Sequence, residues 1–437
     1  MAELNVHVVT SLNEAESFRR EANEVHAECS RPDVFSTLGF CLHTARNDEY
    51  HPGGDFEPQL YLCHEGSRLL GYLPLRLTRE RRFGLHPSRL EFLVPHFGDR
   101  PHLVARPGDE DRVAEAMMDV ILSRDQPWSV LTLHQQDEQS ALRRAAIARS
   151  PRWRFWPLEI PLTPASVIPA AERFTTFQGY LDALQADFRS DVRRGLRKLL
   201  KAGRVEYLVA EGPSVMPALL PVYIALENRS WKRDPGTKAG ITRDPVRVQL
   251  FEGWARGENG ARPGAGFVLI DGKAVAGMLY SVGEQDSSGL EMVFDDEFAS
   301  VSPGTLLVPM TVLRMIEARK RSVGMMHSYG YYKSRWLGES IPMTTLKLFR
   351  LGTPESLRAI AGKLYRLARE RLSEASKEEE KVVHNPARRQ VAAGALPPMT
   401  PLPDLEPLRA GNDLVRRYDA AELSALFGLS NQKESRK

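Results

Sequence analysis

One stretch of this chain occurs twice. Tyr61-Leu62-Cys63-His64-Glu65-Gly66-Ser67-Arg68-Leu69-Leu70-Gly71-Tyr72-Leu73 parallels Phe267-Val268-Leu269-Ile270-Asp271-Gly272-Lys273-Ala274-Val275-Ala276-Gly277-Met278-Leu279 at a constant offset of 206. Each copy reads as an apolar strand, an acidic-Gly turn and a second strand interrupted by glycine. The correspondence continues, at a slightly smaller offset, at Leu90-Glu91 and Leu290-Glu291, and again at Pro107-Gly108 and Pro303-Gly304, where each Pro-Gly pair precedes a helical pattern. A period of this length is too long for a solenoid unit and suits a duplicated domain. The expected fold class is α/β with a mixed sheet, in two similar modules and a helical, partly disordered tail.

The composition, 42% hydrophobic and 26% charged over 437 residues, is enough for two full cores. A formal charge of +3 is too small to mark a nucleic-acid binder, so any basic surface has to be local. No charged-then-apolar leader opens the chain and no run of about 18 apolar residues suits a bilayer, which makes cytoplasm the expected location. Cys29, Cys41 and Cys63 are widely spaced and form neither a disulfide framework nor a CxxC pair; they are expected reduced and mostly buried, and no metal site is expected.

The first module, residues 1–165, is expected to run strand Val6–Val9, helix Leu12–Ala27 capped by Ser11 or Asn13, meander 60–95, helix Asp109–Leu122 and strand Ser129–Leu133. The second, 205–350, repeats it: strand Val205–Val209, helix Val215–Trp231, strands 266–295, helix Thr305–Arg319 and strand Gly324–Tyr329. Between them, in 166–204, Phe188, Val192, Leu196 and Leu199 form one apolar helical face, and the rest is Arg- and Lys-rich. This basic helix is either a solvated connector or a local anion site near Arg193. In the tail, 351–437, Leu357, Ile360, Leu364 and Leu367 space a basic helix, Pro386 to Pro407 suggests a mobile linker, and Ala420–Phe427 a short helix.

HExxH, paired CxxC, Walker, GxGxxG and GxSxG signatures are all missing. The order strand, helix, meander, Pro-Gly turn, helix, strand resembles the GNAT acyltransferase fold. The duplicated layout, Asn228-Arg229-Ser230-Trp231-Lys232, the run Phe294 to Gly304 and Tyr331-Tyr332-Lys333-Ser334-Arg335-Trp336 resemble more closely the CelD or BcsL-like cellulose-biosynthesis proteins, which have a FemAB-like double GNAT architecture. The resemblance spans roughly residues 5–350. It implies transfer of an acyl group from acyl-CoA, acetyl-CoA foremost, to an amine or hydroxyl of a small-molecule or glycan-precursor acceptor, in envelope or exopolysaccharide synthesis.

A GNAT domain binds the CoA pyrophosphate where a Q/R-x-x-G-x-G/A turn opens a helix, because free amides and the helix dipole meet an anion there. The matching turn of the second module, Ser300-Val301-Ser302-Pro303-Gly304-Thr305, keeps one glycine of that pattern, and Ser302, Gly304, Thr305 and Lys333 are the implied donor-binding residues. In the first module, Asp109, Glu110 and Asp111 follow Pro107-Gly108 and would repel a pyrophosphate, so the donor site is expected in the second module. Acyl transfer needs a base for the acceptor, an oxyanion donor and an acid for the thiolate. Glu291, Asp295 and His327 are candidate bases and Tyr332 the candidate acid; Trp231, Lys232, Arg243, Tyr280 and Tyr331 are placed at the acceptor cleft. Each has a bland alternative: strand carboxylate, loop cap, core histidine, aromatic cluster. Two other functions stay open: a FemAB-like transferase using aminoacyl-tRNA, the one case in which nucleic acid is a partner, and a non-catalytic subunit of polysaccharide assembly. Oligomeric state is not specified by the sequence.

Overall fold

A computed structural model describes residues 3–29, 34–46, 56–79, 88–93, 98–123, 128–234, 240–258, 262–326, 330–373 and 399–429, with no side-chain description for Val34, Val246 and 364–373. The first module contains β1 (Leu4–Val9), α1 (Leu12–Ser17), α2 (Arg19–Glu28), α3 (Leu38–Ala45), β2 (Phe56–Glu65), β3 (Arg68–Arg79), β4 (Ser88–Phe92), β5 (Val104–Ala105), α4 (Glu110–Ile121), β6 (Val130–Gln136) and α5 (Ala141–Arg149). A long strand, β7 (Phe155–Pro169), leads to α6 (Phe177–Ala183) and α7 (Ala186–Ala202). The second module contains β8 (Val205–Glu211), α8 (Met216–Glu227), α9 (Pro245–Ala255), β9 (Arg262–Ile270), β10 (Lys273–Val282), β11 (Ser287–Phe294), α10 (Leu307–Glu317), β12 (Ser322–Gly324), α11 (Tyr331–Arg335) and β13 (Glu339–Arg350). The tail adds α12 (Pro354–Ser373), β14 (Leu414–Tyr418) and α13 (Ala420–Leu426).

The repeat is real in three dimensions. Strand order β1-β2-β3-β4-β6 in the first module equals β8-β9-β10-β11-β12 in the second, and in each the last pair is parallel. Asp271 and Gly272, at φ 51° and 76°, form the turn that a tight hairpin between twisted strands requires. The expected helix at Leu12 is broken at Phe18 into α1 and α2, and Ser11 is its cap.

The two modules exchange their last strands. β13 inserts between β6 and β7, pairing antiparallel with both, while β7 pairs with β12 at Ser322–Pro169 and Val323–Ile168. One mixed sheet of 14 strands results, and residue 165 falls inside β7. Apolar side chains on its faces meet the helices in separate cores: α7, α10 and α13 cover one face of the second module, and α8 and α9 the other. The three cysteines are buried and none is in a disulfide.

The tail departs from expectation. The segment of the predicted linker from 399 onward is packed, and β14 pairs antiparallel with β8, Tyr418 opposite Tyr207, covering an edge that would otherwise expose unpaired amides. Leu423 and Phe427 are buried on the same core as α7, and the rings of Phe427 and Phe177 meet at 5.5 Å. Residues 374–398 lie outside the described residues.

Candidate active site

Among the described residues, β11 and β12 pair only at Ser287–Val323 and Ser288–Gly324, after which β11 continues to Phe294 with no described strand partner on that edge. Parallel strands that separate at their carboxyl ends leave a crevice where ligands bind in open α/β sheets. The chain leaving β11 turns at Asp295, passes Ser302 in the left-handed region (φ 55°), and enters α10 through the short 3-10 turn Pro303–Leu306. Gly304 sits in this turn without need of glycine: its φ is not left-handed, and an added Cβ would meet only Phe294 Cδ1 at an ordinary 3.6 Å.

The basic helix α7 lies against this turn. A Cβ on Gly195 would stand 3.3 Å from Thr305 Cγ2, so the glycine allows the approach. Phe188, Val192, Leu196 and Leu199 are buried, as the apolar spacing requires. Of the cations, Arg189 pairs with Asp182, Arg194 with Asp191, and Arg193 donates from Nε to the Phe427 carbonyl at 2.8 Å. Arg193 is therefore committed to the tail, whereas Arg197, Lys198 and Lys201 are exposed and have no ion-pair partner among the described residues.

Glu291 projects from β11 toward α8 and α9. Lys232 donates from Nζ to its Oε2 at 2.6 Å, and Arg247 pairs with its Oε1. The Lys232 ammonium also stands 3.4 Å from Glu227 Oε1, and Glu227 Oε2 accepts from the amides of Ile241 (2.6 Å) and Thr242 (3.2 Å). Burial pulls the Lys232 ammonium below its ordinary range, against the attraction of Glu227. Beside this cluster the fully buried Tyr223 hydroxyl has no hydrogen-bond partner among the described residues, and burial raises it well above the usual phenol range. Glu227, Arg247 and Tyr223 were not among the sequence candidates. The only signal for Glu227 and Tyr223 was polar groups in an otherwise apolar α8, and Arg247 lies on α9 with no such mark.

The other candidates separate. Asp295 is buried, accepts from Arg229 Nε at 2.6 Å and caps the next turn through Glu297 N, so both its oxygens are engaged. Tyr280 is buried on the opposite face of the sheet from Glu291, its hydroxyl donating to Glu211 at 3.1 Å while Arg314 grips both Glu211 oxygens. It lines no acceptor cleft, because its strand register turns it into the α7–α10 core. Arg243 donates to the carbonyls of Lys232 and Arg233, bracing the segment after Trp231, which is half exposed. Lys333 donates to the Met325 carbonyl at 2.6 Å and lies near Asp99 and Arg100 of the first module, not with Ser302 and Gly304. Tyr331 and Tyr332 are exposed on α11, and Tyr332 meets the Trp336 ring edge-on at 6.3 Å. Arg335, unforeseen, ties α11 to α7 by Asp191 at 2.9 Å and by the Phe188 ring at 4.0 Å. His327 lies outside the described residues. A cavity of about 780 Å³ opens between the modules, bordered by Ser288 and Gly324 from the second and by Arg100 and Ser140 from the first. No cluster of metal-ligating side chains occurs among the described residues, and no described helix is long and apolar enough to cross a membrane.

The two halves of the sheet repeat one strand order, and each order ends in a parallel pair. In the family comparison, residues 186–334, which run from α7 into α11, match the model described as an acetyltransferase (GNAT) domain. FemX is similar in structure at a TM-score of 0.54, with 11% identity over 77% of this chain and 96% of that one. A tandem GNAT protein from the clavulanic acid biosynthesis pathway (TM-score 0.41, 15% identity, 80% and 99% covered) and L-PGS from Bacillus licheniformis (0.45, 9%, 80% and 95%) are also similar. No curated protein matches by sequence.

Proposed function

We propose that the second module is an acyltransferase whose acyl-CoA donor lies on the Ser302–Thr305 turn, with its thioester in the split between β11 and β12. The observation that carries this is Gly304, a glycine that the protein's own packing does not require, at the mouth of α10 with α7 pressed against it. A bare backbone there lets a phosphate approach amides and the positive helix end, and Lys198, one helical turn from Gly195, brings charge to the same edge. The unpaired edge of β11 supplies amides for the oxyanion. Glu291 has both oxygens on cations, so it holds the cluster of Lys232 and Arg247 beside the split instead of taking the acceptor's proton directly; Asp295 braces Arg229. Tyr332, exposed on α11 beside the crevice, is the proton donor to the leaving thiolate. His327, on the chain leaving β12, remains the candidate base, and Tyr331 and Trp231 flank the acceptor path. The CelD-like resemblance supports an acceptor in envelope or exopolysaccharide synthesis.

Thermal-shift titration with acetyl-CoA, a long-chain acyl-CoA and free CoA tests the reading. Saturable stabilisation, abolished by Gly304→Glu, is expected, since a ligand of the native state raises stability by mass action. Absence of any shift overturns it. The exposed Arg197, Lys198 and Lys201 favour one second reading, an aminoacyl-tRNA donor, which predicts ribonuclease-sensitive activity and binding that falls steeply with salt.

A further inference from the structure

The cavity between the modules is walled by opposite charges in unequal number. Seven carboxylates line it against three arginines. Each arginine is already paired: Arg100 with Asp99 at 3.0 Å, Arg144 with Asp111 at 2.5 Å, and Arg321 with Asp286 at 2.5 Å. No guanidinium is left uncommitted for a phosphate. Glu138 and Glu172 have no ion-pair partner among the described residues, Glu339 has only Arg173 at a loose 3.9 Å, and Asp137 is a buried carboxylate in the same wall. A concave site of this volume suits a small molecule, and a recess lined by one sign of charge concentrates ligands of the other.

We infer that this cavity binds a small polycationic amine of polyamine size, and, resting on the acyltransferase reading above, that this amine is the acceptor. The position supports the second part. Ser288 and Gly324, which border the cavity, are the last paired rung before β11 and β12 separate, so a ligand filling it ends at the split where the thioester is proposed to lie. Arg100 reaches across from the first module to the same rung, where a Cβ on Gly324 would stand 2.7 Å from its Nη2. It closes that side without offering a free charge. In the reaction, one ammonium of the ligand gives up a proton to solvent, and its nitrogen forms a bond to the thioester carbonyl carbon. As the carbon–sulfur bond breaks, Tyr332 protonates the thiolate and recovers a proton from that nitrogen, leaving an amide, a free thiol and one proton released. The other ammonium groups stay charged against the carboxylates and hold the molecule in place.

Isothermal titration of the full chain with spermidine at low salt, with no thioester present, tests the cavity separately from the donor site. Saturable binding is expected, weakened about tenfold in Glu138→Gln/Glu172→Gln, since each exposed carboxylate contributes about threefold. Both positions are exposed, so the variant keeps its melting temperature. UDP-N-acetylglucosamine, an anionic ligand, is expected not to bind. Saturable binding of the nucleotide sugar, or a spermidine affinity unchanged by the double variant, overturns the inference. A negative acyl-CoA titration beside positive spermidine binding rejects the donor reading alone.

Discussion

Lys232 Nζ stands 2.6 Å from Glu291 Oε2, with both side chains nearly closed off from solvent. This contact closes a buried cluster that includes Glu227 and Arg247 and pins the end of α8 to β11. Lys232→Met would strip Glu227 of its cation and leave a buried carboxylate held by two amides alone. Removing one partner of a buried pair costs about 3–5 kcal/mol, so chemical denaturation should show a loss of that order. Lys232→Met/Glu291→Leu should lose less than the sum of the two single changes, because the partners are in contact.

Gly195 and Thr305 predict a steric test of the donor turn. Gly195→Val places methyl groups where Thr305 Cγ2 is already close and should cost about 1–3 kcal/mol. Acyl-CoA stabilisation should fall with it. Adding Thr305→Ala, which empties that space, should restore most of the melting temperature.

Phe427 anchors the returning tail. It is fully buried against Phe177, and its carbonyl accepts from Arg193. Phe427→Ala should cost about 3–5 kcal/mol. Hydrogen exchange should then accelerate in β8 and β14 first, while amides of the first module stay protected.

Glu28 and Glu65 carry a pH signature. Hydrogen bonds from Arg106 and Arg112 hold their carboxyls below the ordinary 4.5. Folded values below unfolded ones mean that stability from these pairs is present above about pH 4.5 and is lost as pH falls through the folded values. Arg112→Gln should therefore lower the melting temperature at neutral pH, and the gap from the parent should close under acid, where the Glu65 carboxyl is protonated in either state.

The sequence showed the repeat, the hairpins and the apolar stripe of α7, because these are local periodicities. Glu291 and Lys232 were visible as individual polar residues. Their pairing was not, since it depends on α8 meeting β11 across 59 positions. Tyr280 was misplaced because alternation along a strand tells which residues share a face but not which face meets the crevice. β14 went unread: Leu414–Tyr418 is short, carries two arginines, and becomes a strand only by pairing with β8.

The exchanged strands have a consequence for synthesis. Leu133 of β6 pairs with Leu346, so the first module cannot complete its sheet when its own residues leave the ribosome. At translation rates of about 5–20 residues per second, the wait is roughly 10–40 s. Through that interval a nascent half-sheet presents an open edge, the kind of surface that chaperones shield. Neither duplicate is a free-standing inheritance of its ancestor: cutting the gene between them should yield two insoluble fragments that recover a native fold only when they are expressed together.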